Sequence, residues 1–234
     1  MIDSFRLEYQ RMWQPRQSGQ GALIVLCGFD GSGKTTQIAE LVARLRRERR
    51  PVVETRQPTD WYRSDPWVRR FLDTGECSNM HALALFAAAD RRRHVSETVC
   101  PSLKNNRIVL SDRYVFSSLA YFGARGLEMS TVAKLNATIP RPDLAVYLDL
   151  APTSLQDRIK SRDGKLLKYE EQRLALVRTT RENYLRIGAV DPNFHIIDGE
   201  QSAESIANSI WKLASEIIGD GLLPENAASQ IDQT

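Results

Sequence analysis

Gly28-Phe29-Asp30-Gly31-Ser32-Gly33-Lys34-Thr35 spaces its glycines, one lysine and one hydroxyl as a polyphosphate cradle requires. The glycines let the backbone wrap tightly, so that successive N–H groups and the start of the following helix point at one phosphate. Lys34 can then reach the β- and γ-phosphates, and the Thr35 hydroxyl can ligate Mg²⁺, with Thr36 next in the same cradle. A plain glycine turn needs none of these additional constraints. Asp112, just past the apolar run Arg107 to Ser111, is a carboxylate placed to organise an Mg²⁺ shell through water. It could instead cap the next helix; Arg113 beside it favours the site, because a cation there would face bound phosphates. A third candidate is the basic, glycine-broken segment Arg158 to Lys165, with Arg158 and Arg162, which could close over phosphates as a lid.

These groups need elements to hold them. The apolar run Ala22 to Cys27 reads as a strand feeding the glycine loop, and Ile38, Leu41, Val42 and Leu45 give the helix after it one buried face. Further strands are expected at Pro51 to Thr55, Arg107 to Ser111, Leu144 to Leu150 and Phe194 to Asp198. Helical patterns separate the five, which predicts right-handed βαβ units. The expected fold is α/β, a three-layer P-loop NTPase with a five-stranded parallel sheet covered by helices on both faces and a lid. Met80 to Leu103 reads as one long helix, Ser202 to Ile218 as the last, and Ile2 to Trp13 as an appended one. That first helix could cap the core, meet a partner subunit or be partly disordered. The expected organisation is an extension over residues 1–20, one domain over 21–218 and a polar tail over 219–234. Arg44 to Arg50 complements a helix C-terminus and reads as a solvated end. Arg56 to Trp61 reads as a polar loop at the C-terminal end of a strand, where open α/β sheets place ligand contacts.

A chain of 234 residues is long enough to bury one full core. A formal charge of +3, from 32 basic and 29 acidic residues, makes no case for nucleic acid or an anionic membrane as partner. No apolar run approaches the ~20 residues of a membrane span. Three scattered cysteines point to a reducing, cytoplasmic setting rather than a disulfide framework or zinc site. His195 reads as structural, and His81 and His94 lack partners at metal spacing.

Together with the glycine loop, the motifs SDRYVFSSLAY and PDLAVYLDL, Thr55-Arg56-Gln57-Pro58 and Ala89-Asp90-Arg91-Arg92-Arg93-His94 resemble the thymidylate kinase family of nucleoside monophosphate kinases. The resemblance runs from about Ala22 to Ile218 and includes Lys168-Tyr169-Glu170, similar to that family's R-[IF]-E. It implies transfer of the γ-phosphoryl of MgATP to a nucleoside 5′-monophosphate, dTMP first, in a cytoplasmic homodimer. Another monophosphate, or a non-catalytic nucleotide-binding module on the same fold, are the alternatives. By position, Asp30 resembles the carboxylate at the acceptor's sugar hydroxyl, Arg56 and Arg113 the clamps on its phosphate, Arg91 the arginine that reads its base, and Tyr121 the tyrosine beside the deoxyribose. The loop carries no basic residue before Lys34, so the resemblance assigns the assisting charge to Arg158 and Arg162.

The chain departs from the family at Cys27, where a Glu is usual, at Gln57, which replaces the Glu of T-R-E-P, and at Phe122 after Tyr121. Ala87 stands where the family's base-stacking Phe is expected, with Phe86 displaced by one residue. One residue rotates a helical side chain by about 100°, which predicts a gap over the base and a broadened or shifted base preference. Trp61, Tyr62 and Phe122 are the aromatics that could fill it.

Overall fold

A computed structural model describes residues 4–15, 21–164 and 173–219. Residues 1–3 and 16–20 of the expected extension, with the start at Ile2 of its helix, the Lys165 end of the lid with Lys168 to Glu170, and the tail from 220 lie outside the described residues.

Five strands form the central parallel sheet: β2 (Leu23–Cys27), β3 (Val52–Arg56), β4 (Ile108–Asp112), β6 (Leu144–Asp149) and β7 (Phe194–Asp198), in the order β3-β4-β2-β6-β7. All five residues of β2 are buried, as a strand covered on both faces requires. Its alternation splits the core. Leu23, Val25 and Cys27 join Val109, Ala145 and Tyr147 on one face, while Ile24 and Leu26 join Leu110, Val146 and Leu148 on the other. The second face is covered by α2 (Lys34–Arg47) through Leu41, Val42 and Leu45, and by α11 (Ala203–Ile218) through Ile206, Ile210 and Ala214. Full burial of each such aliphatic side chain contributes about 1.5–3 kcal/mol, so one carboxylate introduced at Val25 would undo several of them.

The first face is covered by α5 (Met80–His94), α7 (Val115–Ala124), α8 (Met129–Leu135) and α10 (Leu174–Gly188). The long helix expected from Met80 to Leu103 continues past α5 through a π turn at Val95–Val99 into α6 (Cys100–Lys104). Pro101 lacks an N–H for the preceding turn, and the wider turn lies just before it. Strand β4 includes Asp112, one residue beyond the expectation. The backbone N–H of Gln57 donates to the Asp112 carbonyl at 2.9 Å, extending the ladder past the Arg56–Asp112 pair.

The first helix, α1 (Ser4–Arg11), caps the core: Phe5, Tyr9 and Met12 are buried in the same cluster as β2 and α8. The chain then pairs β1 (Trp13–Gln14) with β5 (Ile139–Pro140) in a small parallel sheet that periodicity did not reveal. Two helices, α3 (Asp60–Arg63) and α4 (Pro66–Thr74), stand where a loop was expected to begin. Asp65 accepts from the N–H groups of Trp67 and Val68, Pro66 opens α4, and Gly75 closes it at φ 75°, a full set of boundary signals. The basic end of α2 behaves as a helix terminus: Arg44 lies 4.1 Å from the Trp211 ring and Arg46 bonds Glu54 at 2.9 Å.

Candidate active site

In an open α/β sheet the ligand crevice lies past the C-terminal ends of the strands, where neighbouring connections diverge. Here β2 has β4 on one side and β6 on the other, and the glycine loop leaves from its end. Gly31 and Gly33 have φ of 85° and 92°, which a side chain would oppose, and Gly33 starts α2. A Cβ on Gly31 would lie 2.9 Å from Ile159 of α9 (Pro152–Asp163). Leu155 and Ile159 of α9 pack with Phe29 of the loop, so the helix that carries the Arg158 end of the expected lid segment lies against the loop.

Lys34 is buried, and its Nζ donates to the Phe29 carbonyl at 2.7 Å, 3.9 Å from Asp30. Burial, with Arg113 adding to it, pushes the Lys34 amine down to about 7. Asp112 is one strand over, opposite Leu26, and its Oδ1 is buried without a hydrogen-bond partner. An orphaned carboxylate oxygen beside a phosphate cradle fits the hydration shell of a divalent cation, with the Thr35 hydroxyl in the first turn of α2 as a second oxygen. Among the described residues no group of three or more His, Cys, Asp or Glu could hold a metal ion, so phosphates and water would complete that shell.

Arg113 follows Asp112 with φ 67°, a left-handed conformation uncommon for a side chain of this size. Its backbone N–H donates to the Leu26 carbonyl at 2.8 Å, and its carbonyl accepts from Ser111 Oγ at 2.7 Å. This turn sends the guanidinium across to Asp30, which accepts from it at 2.8 Å, and places it 5.5 Å from the Tyr121 ring.

A cavity of about 180 Å³ opens beside these groups. Asp30, Ala87, Arg91, Arg113 and Tyr121 all line it, so the structure brings together five of the six acceptor residues expected from sequence. Arg56 is not among the lining residues; its side chain is exposed and bonds Asp60 at the end of β3. Arg63, which sequence reasoning missed, lines the cavity instead, fixed by Nε donating to the Pro58 carbonyl at 2.8 Å. Burial, reinforced by Arg113, lowers its pKa. Arg125, also missed, bonds the Tyr121 carbonyl at 2.8 Å and lies 5.0 Å from the Phe71 ring. Helix α4, unread in the sequence, is what brings Phe71 there; its capping signals were the trace.

Ala87 is buried at the cavity wall, while Phe86 turns away to pack on Trp61 and Tyr62 at 4.8 and 5.4 Å between ring centroids. The wall that Ala87 leaves short is lined by Tyr62, Phe71 and Phe122; Trp61 is not part of it. Arg91 is fully enclosed: Nε donates to Gln57 Oε1 at 2.9 Å and the two terminal nitrogens to Asn136 and Ser118. Arg158 bonds the Gly199 carbonyl at 3.0 Å and Glu200 at 3.4 Å, and Arg162 pairs with Asp163. Both therefore have partners on the protein, and neither lines the cavity.

A family model described as thymidylate kinase matches residues 26–210. The chain is 38% identical over 205 residues to a probable thymidylate kinase of Pyrococcus horikoshii, covering 86% of this chain and 99% of that protein. A probable thymidylate kinase of Thermococcus onnurineus is 38% identical over 199 residues, 81% of this chain and 95% of that one. A thymidylate kinase of Lactobacillus delbrueckii is 35% identical over 202 residues, 83% of this chain and 95% of its own.

Proposed function

The chain belongs to the thymidylate kinase family, and from that premise we propose that its described site performs the MgATP-dependent phosphorylation of dTMP. It is a nucleoside monophosphate kinase that converts dTMP to dTDP. An oxygen of the acceptor phosphate bonds to the γ-phosphorus as the bond from that phosphorus to the β,γ-bridging oxygen breaks, releasing ADP. No covalent enzyme intermediate is needed, so catalysis is positioning and charge neutralisation.

The residues divide accordingly. The N–H groups from Gly28 to Thr36 and the Lys34 amine, which donates to the Phe29 carbonyl, take the donor's β- and γ-phosphates. Asp112 and Thr35 would hold Mg²⁺, which supplies charge neutralisation along the polyphosphate. Arg113 and Arg63 face the acceptor phosphate, Asp30 and Tyr121 its sugar, and Arg91 its base. The aromatic wall of Tyr62, Phe71 and Phe122 excludes water around a pyrimidine. Arg158 and Arg162, carried on α9, add positive charge on the donor side as the phosphoryl group moves, exchanging their present partners for phosphate oxygens.

The observation that supports this reading most is the buried, unpartnered Asp112 Oδ1 in register with the strand that feeds the cradle. The test is ADP release with MgATP against a panel of monophosphates, repeated on Lys34→Ala. Removing one preorganised charge from a phosphoryl-transfer site is expected to cut dTMP turnover by at least about a hundredfold. Near-normal turnover in a folded Lys34→Ala variant would overturn the assignment of the loop.

A further inference from the structure

Gln57 is 1% exposed, just past the end of β3, and its side chain has an accepting end and a donating end. Oε1 accepts from Arg91 Nε at 2.9 Å. That bond fixes the amide's orientation, because turning it over would set its NH₂ against the Arg91 N–H, donor to donor. The NH₂ therefore faces His94 Nδ1, 2.7 Å away. Nδ1 must accept, so a neutral ring carries its proton on Nε2, which lies 2.6 Å from Thr55 Oγ1. The chain of bonds runs in one sense, from Arg91 through Gln57 and His94 to Thr55. At its far end the Arg91 fork is held by Asn136 and Ser118 and faces the cavity beside Ala87.

We propose that Gln57 is a positioning residue for the acceptor base, holding the Arg91 fork in its plane and tying acceptor affinity to a neutral His94. The proposal rests on the reading of Arg91 as the group that contacts the base. Without Gln57 the Nε side of Arg91 loses its only acceptor on that edge in the described network, and the fork can turn about Asn136 and Ser118. Protonation of His94 has the same effect from one bond further away, since Nδ1–H would oppose the amide NH₂. Strand β3 and the residue after it face the ring with the neutral Thr55 and Gln57. Asp90 and Glu97 favour its charged form, whereas burial, Arg91 and Arg93 oppose it, and the net direction is downward from the ordinary histidine value. Acceptor KM should therefore rise as pH falls below that value.

Steady-state kinetics with saturating MgATP test this. Gln57→Leu is expected to raise the dTMP KM about tenfold, as for loss of a hydrogen bond to a buried charged group, with kcat within about threefold. His94→Gln keeps an acceptor toward Gln57 but cannot take up a proton. The extra rise in KM that the unmodified enzyme shows on acidification should vanish in it, while the titration of the dTMP phosphate is common to both. Nitrogen-15 NMR of the folded, unmodified enzyme at neutral pH should find His94 neutral, with its proton on Nε2. A proton on Nδ1 overturns the proposal without any variant. Arg91→Lys separates the two layers: an unchanged dTMP KM removes the base-reading assignment and the proposal with it. If Arg91→Lys raises KM but Gln57→Leu does not, the assignment stands and the positioning role is wrong.

Discussion

Arg113, at the end of the second strand of the sheet, donates to the carboxylate of Asp30 in the glycine loop at 2.8 Å, joining the acceptor side of the site to the donor side. Lys34 lies 3.9 Å from the same carboxylate oxygen, so the Asp30 carboxylate faces both basic side chains. Asp30→Asn keeps the acceptor but removes the charge. It is expected to lower the melting temperature of the ligand-free protein and to raise the dTMP KM about tenfold, with the ATP KM within about threefold. Equal changes in both KM values, measured with each substrate saturating in turn, would show that Asp30 serves the cradle as a whole.

Lys34 gives a pH signature. Burial lowers its pKa from the ordinary 10.5 to about 7. Between these values the unfolded chain binds a proton that the folded, ligand-free protein does not, so burying this lysine costs stability below the window and that cost falls away as pH rises across it. A bound polyphosphate restores the charge. Binding of MgATP at pH 8 is therefore expected to take up nearly one proton, read by calorimetry in two buffers of different ionisation enthalpy. Uptake near zero at pH 8 would mean that Lys34 is already charged in the empty loop.

The aromatic wall makes a contrast among three neighbours. Phe71 lines the cavity, while Phe86, outside it, packs against Trp61 and against the back of the lining residue Tyr62. Phe71→Leu is expected to raise the dTMP KM about tenfold, and Phe86→Leu to lower the melting temperature with KM within about threefold. Ala87→Phe is expected to weaken dTMP binding, because a ring added at a buried position beside existing aromatics overpacks the wall. Improved dTMP use by Ala87→Phe would show that the gap expected from sequence is real in the bound state.

Arg162 pairs with Asp163 through bonds of 2.8 and 2.6 Å, so acting on the donor means exchanging that partner for phosphate oxygens. Arg162→Ala is expected to lower kcat more than tenfold with little change in the ATP KM, the pattern of a charge that acts in the transition state. An unchanged kcat with a raised ATP KM would make it a binding residue.

Much of this was legible in the sequence because the signals were local. Five strands announced themselves as apolar runs, and the glycine loop fixed its own geometry through Lys34 and Thr35. Asp112 and Arg113 were readable as a pair because a strand end places consecutive residues together. What stayed hidden depended on distant chain segments. Arg63 reaches the cavity only because α3 turns it toward the Pro58 carbonyl, and Arg56, two residues earlier than Pro58, is left on the surface by the same turn. Phe71 sits on a helix whose caps, Asp65 and Gly75, were visible but whose docking surface was not. Gln57 looked like a departure from a motif; its meaning appears only when His94 and Arg91, more than 30 residues away, close around it.

The bond from the Tyr9 hydroxyl to Asp191 joins residues 182 positions apart. On a ribosome adding about 5–20 residues per second, roughly ten to forty seconds separate the synthesis of its two ends. For about the first two thirds of that interval Phe5, Tyr9 and Met12 have no α8 to pack against, and Asp191 comes last, so the first helix is seated long after it is made. Its apolar side is then a natural contact for a chaperone. Substituting Tyr9 should slow maturation of the nascent chain more than it alters the finished cradle.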